Sequence, residues 1–138
     1  MVGFVSSQGP IPYTDFAMPD VCLTPVPPSP APVPIPYPNI GLGPTAIPTQ
    51  VKMLVLGMPV HNLTTQKPIS NGDNVGVSLG VASGMVMGPV SAAAGSTVLF
   101  AGGPPATGMA NPTKQNGLSP NAVGMTLSPS QPKLLTTR

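Results

Sequence analysis

Cys22 and His61 are the only cysteine and the only histidine of this 138-residue chain, and Asp15, Asp20 and Asp73 are its only acids. A thiol and an imidazole are the parts of a cysteine nucleophile with its base. Cysteine, histidine and aspartate are also metal ligands. Both chemistries need more than residue types. A nucleophile pair needs a third group to orient its base and a suitable local context, and neither is visible around Cys22 or His61. Structural zinc takes four ligands, mostly nitrogen and sulfur, and this chain supplies two. The reading is therefore a non-enzyme with no catalytic residue, no metal and no other cofactor. Cys22 with His61 is the pair that zinc would have to use, with Asp20 or Asp73 as weaker completion. The ordinary roles of these residues are a small buried thiol and a loop histidine.

The elements that must position these side chains are set by an unusual composition. There are 22 Pro and 16 Gly residues, a content typical of low-complexity sequence. Disorder, however, goes with low hydrophobicity and high charge, and here 41% of residues are hydrophobic and 6% charged. The expectation is a small, turn-rich all-β structure with little or no helix. Lys52, Lys67, Lys114, Lys133 and Arg138 are scattered singly, so no basic patch exists to bind nucleic acid. One cysteine excludes an intrachain disulfide. Met1-Val2-Gly3-Phe4 lacks the basic start of a secretory signal. Export, if any, is expected to depend on another machine.

Residues 1–18 show no clear period. From Pro30 to Pro38 every second residue is proline. In an extended chain alternate N–H groups point to the same side, so these prolines strip the donors from one edge. Val33–Ile40 is thus read as an edge segment; the rival is a polyproline II arm over residues 25–38 serving as an adaptor ligand. Val51–Leu56 is predicted as a strand buried on both faces, followed by a turn at Gly57-Met58-Pro59. Asn71-Gly72 is a tight-turn signal. Residues 74–113 carry no charge, and Gly76, Gly80, Gly84 and Gly88 recur every fourth position. That spacing suits close-packed membrane helices, and a membrane-inserting protein using residues 75–101 is the alternative it raises. The alternation of Val75, Val77, Leu79 and Val81 with Gly76, Ser78, Gly80 and Ala82 favours a glycine-rich buried β layer. Gly57-Met58-Pro59-Val60 with Asn71-Gly72 aligns with Gly103-Pro104-Pro105-Ala106 and Asn116-Gly117 about 46 residues later, each copy preceded by a strand candidate, Met53–Leu56 and Thr97–Phe100. The expected organisation is one domain over 1–127, with a Pro-rich segment at 19–48 and repeat units at 51–95 and 96–127, then a frayed tail over 128–138.

Pro19-Asp20-Val21-Cys22, then Val33-Pro34-Ile35-Pro36-Tyr37-Pro38-Asn39-Ile40, then Ser70-Asn71-Gly72-Asp73, in this order and spacing, resemble the PAAR-like family. These are tip proteins of type VI secretion and related contractile injection machines. The similarity runs from about residue 16 to 125. Pro59-Val60 and Pro105-Ala106 stand where PAAR repeats lie, without their arginine. The family-signature residues here are Pro19, Asp20, Val21, Cys22, Pro34, Pro36, Pro38, Asn71, Gly72 and Asp73. The resemblance implies a small cone of stacked β-hairpins that caps a trimeric VgrG-type spike, one tip per trimer. It further implies effector or chaperone attachment, transient contact with the target membrane, and cytoplasmic residence before injection. It also implies zinc, since three histidines and a cysteine clamp the point of PAAR tips, and this chain departs from that set. The expected spike base is Val33, Ile35, Tyr37, Asn39 and Ile40.

Overall fold

The computed structural model describes residues 2–28 and 30–137, and its regular structure is strand apart from one 3-10 turn, Gly43–Thr45. The expected all-β class holds. The longest strand, β2 (Thr14–Thr24), begins inside the stretch that showed no period. Its inward residues are Asp15, Ala17, Asp20, Cys22 and Thr24; its outward ones include Phe16, Met18 and Leu23. Polar side chains face in and apolar ones face out, the reverse of the usual half-buried strand. A register shift between Ala17 and Asp20 keeps both on the inner face.

Strand β3 (Val33–Leu42) pairs antiparallel with β2 from Val33↔Thr24 to Leu42↔Thr14. Only Val33, Ile35 and Tyr37 have N–H groups to give β2 over this Pro-rich half. Beyond Pro38, Ile40 and Gly41 pair with β7 (Ser70–Asn71). Among the described residues no strand pairs with the outer edge of Val33–Pro38, which has carbonyls but no donors. The edge reading is correct, and the polyproline arm is excluded for residues 33–38 because they are held in a ladder.

The main sheet has the order β6-β8-β9-β10-β2-β3-β7, with β6 at Gln66–Lys67, β8 at Val90–Ala92, β9 at Pro112–Gln115 and β10 at Ala122–Thr126. The two outer strands, β6 and β7, are separated in sequence by Pro68 and Ile69 alone, so the sheet must curl until its edges are neighbours. Ser70 Oγ donates to Gly88 O at 2.8 Å across that seam. The result is a nearly closed barrel.

Beside it, β4 (Leu54–Val55) and β5 (Met58–Pro59) form a hairpin, and β1 (Val2–Phe4) pairs with β11 (Leu135–Thr137). Val5, Val60, Ala101 and Ala106 form the apolar core there, with Met53, Val55, Leu99 and Leu134 packed against it. Val60 N donates to Met53 O at 3.0 Å and Ala106 N to Leu99 O at 2.9 Å. These two turns are equivalent at the 46-residue offset, and Asn62 bridges to Ala106 between them.

Several expectations fail. Val51–Leu56 is not a two-face-buried strand: only Leu54–Val55 is strand, and Val51 is 71% exposed. No strand lies over Thr97–Phe100, where Phe100 makes one bridge to Pro105. The terminal segment is docked, not frayed, with Ser130 and Gln131 buried and β11 paired. Residues 74–88 do not form a buried β layer. Ser78–Val81 run beside β2, with Leu23 N donating to Leu79 O and Val81 N to Val21 O. Gly76, Gly80 and Gly88 face inward, while Gly84, Val75, Val77, Leu79 and Val81 are exposed. No helix among the described residues is long and apolar enough to cross a membrane, so the helical reading of 75–101 fails as well.

Candidate functional site

Three of the signature residues, Asp20, Cys22 and Asp73, converge inside the barrel, while Pro19, Pro34, Pro36, Pro38, Asn71 and Gly72 are exposed and Val21 is half-buried. Asp20 and Cys22 project from one face of β2, Asn39 from β3, and Asp73 follows the β7 turn, where Gly72 at φ +125° reverses the chain. All four are fully buried. Cys22 Sγ lies 3.6 Å from both Asp20 Oδ1 and Asp73 Oδ2, within reach of its S–H. Asn39 Nδ2 donates to Asp20 Oδ2 at 2.7 Å. Two further asparagines flank the turn between β9 and β10. Asn116 Nδ2 donates to Asp73 Oδ2 at 2.8 Å and Asp20 Oδ1 at 3.2 Å, and lies 3.7 Å from Cys22 Sγ. Asn121 Nδ2 donates to Asp20 Oδ1 and, at 2.8 Å, to Val21 O.

The carbonyl ends of the Asn116 and Asn121 amides are fixed by backbone, while Asn39 Oδ1 is buried without a partner among the described residues. Asn116 Oδ1 accepts from Gly88 N at 2.9 Å, and Asn121 Oδ1 from Ala82 N at 2.7 Å and Ser83 N at 3.2 Å. Met87 N donates to Asp73 Oδ2 at 3.1 Å. Three of the four regularly spaced glycines find their explanation here. A methyl group on Gly76 would overlap Cys22 Cβ; a Cβ on Gly80 would fall 2.7 Å from Asn121, and one on Gly88 2.8 Å from Asn116. Glycine at these positions lets loop 74–88 close over the cluster.

Burial, reinforced by the Asp20 and Asp73 carboxylates, pushes the Cys22 thiol up to about 12. That value keeps it a protonated thiol at neutral pH. Burial also raises the Asp73 carboxyl, against the lowering effect of the Met87 N–H.

His61 is elsewhere. It is buried with Tyr13, whose hydroxyl lies 2.7 Å from His61 Nδ1, and its Nε2 lies 2.8 Å from Gln8 Oε1. Gln8 Nε2 donates to Pro44 O, which leaves Oε1 to accept. His61 therefore carries its proton on Nε2 and accepts from Tyr13. Burial, with the nearby Lys67 charge, lowers it to about 3, so it is neutral. Burial likewise drives the Tyr13 hydroxyl well above its usual value. Lys67 Nζ pairs with Asp15 Oδ2 at 2.5 Å, both buried, and lies 4.9 Å from the Tyr13 ring centre. Thr126 Oγ1 donates to Asp15 Oδ1 at 2.7 Å. A cavity of about 10 Å³ remains among these groups, room for about one water.

Both ring nitrogens of His61 are engaged outside the Cys22 cluster, so the structure does not bring Cys22 and His61 together as a nucleophile or ligand pair. Of the expected base residues, Asn39 is buried at the cluster, while Val33 is exposed and Ile35, Tyr37 and Ile40 are half-buried on β3. The sequence presents Asn116 as a turn residue and does not mark Asn121, Tyr13 or Gln8. The alignment of Asn116-Gly117 with Asn71-Gly72 was the one available signal for Asn116; Asn121 offered none.

These features define a class: a small all-β protein whose barrel is filled by hydrogen-bonded polar side chains and whose exterior is rich in large apolar ones. The Toxin PAAR-like domain family matches residues 13–124, and the chain belongs to that family. No curated protein and no solved structure matches it.

The zinc implied by the resemblance can be tested against this donor set. Among the described residues Asp20, Cys22 and Asp73 bring ligand atoms within 4.8 Å of one another. Separations of 3.6 Å suit a hydrogen-bonded thiol, and also the edge of about 3.5 Å expected when zinc joins thiolate and carboxylate. The amides decide the matter. Their N–H groups point at the centre a cation would need, and turning them would strand the N–H groups of Gly88, Ala82 and Ser83. Each buried unpaired donor costs about 1–3 kcal/mol. The residues present do not fit zinc.

Proposed function

We propose that this chain is a structural tip that caps the trimeric VgrG-type spike of a contractile injection machine, one tip per trimer. It sharpens the spike for puncture and helps deliver an effector. The observation that carries the reading is the inverted surface of this PAAR-like family member. Asp15, Asp20, Lys67, Asn39 and Gln115 are inside, while Met18, Val51, Val75, Val98, Leu118 and Val123 are outside, each more than half exposed. An apolar exterior of this extent calls for a covering partner. A barrel held by interior hydrogen bonds keeps its shape without one, which is what a piercing part requires.

In this reading the role is mechanical and not catalytic. The base includes Val33, Ile35, Tyr37 and Ile40 on β3, docking through side chains, since the prolines deny strand addition on that edge. The protein resides in the cytoplasm before firing and then leaves with the spike, touching the target membrane in passing. Effector or chaperone attachment uses the remaining apolar surface. Deleting the protein from its host is expected to abolish secretion of the spike and its effector, with recovery on complementation. Unchanged secretion would contradict the proposal.

A further inference from the structure

We propose that Asn116 and Asn121 are the cross-linking groups of the Cys22 cluster, performing by hydrogen bonds the joining role that the family resemblance assigns to zinc. The cluster ties together β2, β3, the β7 turn, loop 74–88 and both sides of the β9–β10 turn. Asn116 alone reaches three of these: Asp20 on β2, Asp73 after β7, and Gly88 N in the loop. Asn121 joins Asp20 and Val21 O to Ala82 N and Ser83 N. A zinc ion joins ligands by accepting electron pairs at one point. Here two amide nitrogens donate to acceptors from several directions, and their oxygens reach the loop on the far side, which a bare ion cannot do. Two carboxylates at one buried site repel each other. The amide donors, together with Asn39 and the Met87 N–H, offset that repulsion without a cation. The short asparagine side chain needs the loop backbone close by, and Gly80 and Gly88 allow that approach.

Native mass spectrometry of the full chain, produced with zinc in the medium, and melting curves with chelator or added zinc test this directly. The expected result is a metal-free mass and a melting temperature that neither condition moves. One firmly held zinc per chain, with melting lowered by chelator, would overturn it. Asn116→Asp supplies a second test, since it exchanges the amide donors for a third carboxylate. In chelator this variant is expected to lose about tenfold or more in its folding equilibrium constant. Added zinc should then raise its melting temperature while leaving the unsubstituted chain unmoved. Stability equal to that of the unsubstituted chain, or an equal zinc response in both, would also overturn the proposal. Should the variant not fold, the metal content of the unsubstituted chain still decides.

Discussion

Asn116 and Asp73 lie 43 residues apart in the chain and 2.8 Å apart in the fold, joined by an amide N–H on a carboxylate oxygen. Asp73 follows the Asn71-Gly72 turn and Asn116 opens the Asn116-Gly117 turn, one in each half of the loose internal repeat. Their meeting closes loop 74–88 over the family signature and makes the run Pro19–Cys22 a structural anchor.

The closure depends on an absent side chain. Gly76→Ala is expected to cost about 1–3 kcal/mol, because its methyl group would overlap Cys22 Cβ. Gly84→Ala is the control: it has φ +67° and nothing within 4 Å of a built Cβ. It should show only the backbone cost of about 1 kcal/mol. Urea unfolding of the two variants gives the comparison, and Gly76 should be the more sensitive.

Cys22 should be inert in the folded chain. A thiol moved from 9.0 to about 12 has roughly a thousandfold less thiolate at pH 8. Alkylation by iodoacetamide is expected to slow by at least that factor relative to the chain in denaturant, followed by mass. Fast alkylation of the native protein would contradict the buried, hydrogen-bonded placement.

Lys67 and Asp15 predict a steep penalty for separation. Lys67→Met leaves Asp15 buried without its counter-charge and is expected to cost about 3–5 kcal/mol. Adding Asp15→Asn should recover part of that loss. Denaturant midpoints of the single and double variants measure the difference.

His61 gives the fold an acid limb. The unfolded imidazole takes up a proton near 6.5 while the folded one stays neutral to about 3. Between those values the unfolded chain binds more protons, so stability falls as pH falls, by up to about 1.4 kcal/mol per pH unit. Asp73 works in the opposite sense. Its folded value is raised, so its contribution is present below 3.8 and lost as pH rises through that folded value. His61→Gln retains Asp73, so the difference in pH slope between the two proteins, read by melting from pH 7 to 4, isolates the histidine.

The parts of this structure legible in the sequence were those that depend on backbone geometry. Pro34, Pro36 and Pro38 announce a strand with one usable edge, and β3 has one. Asn116-Gly117 announces a turn, and both residues have positive φ. The parts that were not legible share one cause: the interior is polar. Reading apolar runs as buried puts Val51, Leu54, Leu56 and the valines of 75–81 inside, where the structure has them exposed. The same habit hid β2, whose alternation of Asp15 and Ala17 with Phe16 and Met18 makes sense only when aspartate faces in. The contacts of Asp15 with Lys67 and Thr126 span 52 and 111 residues, and no local pattern encodes them.

The central claim is that this chain caps a spike, and size exclusion with light scattering tests it most directly. The purified protein is run alone and mixed with the VgrG-type trimer of its own host. The account predicts a monomer that shifts into a complex of one chain per three spike subunits, with Ile35→Asp weakening the shift. A monomer that elutes unchanged beside the trimer would contradict it.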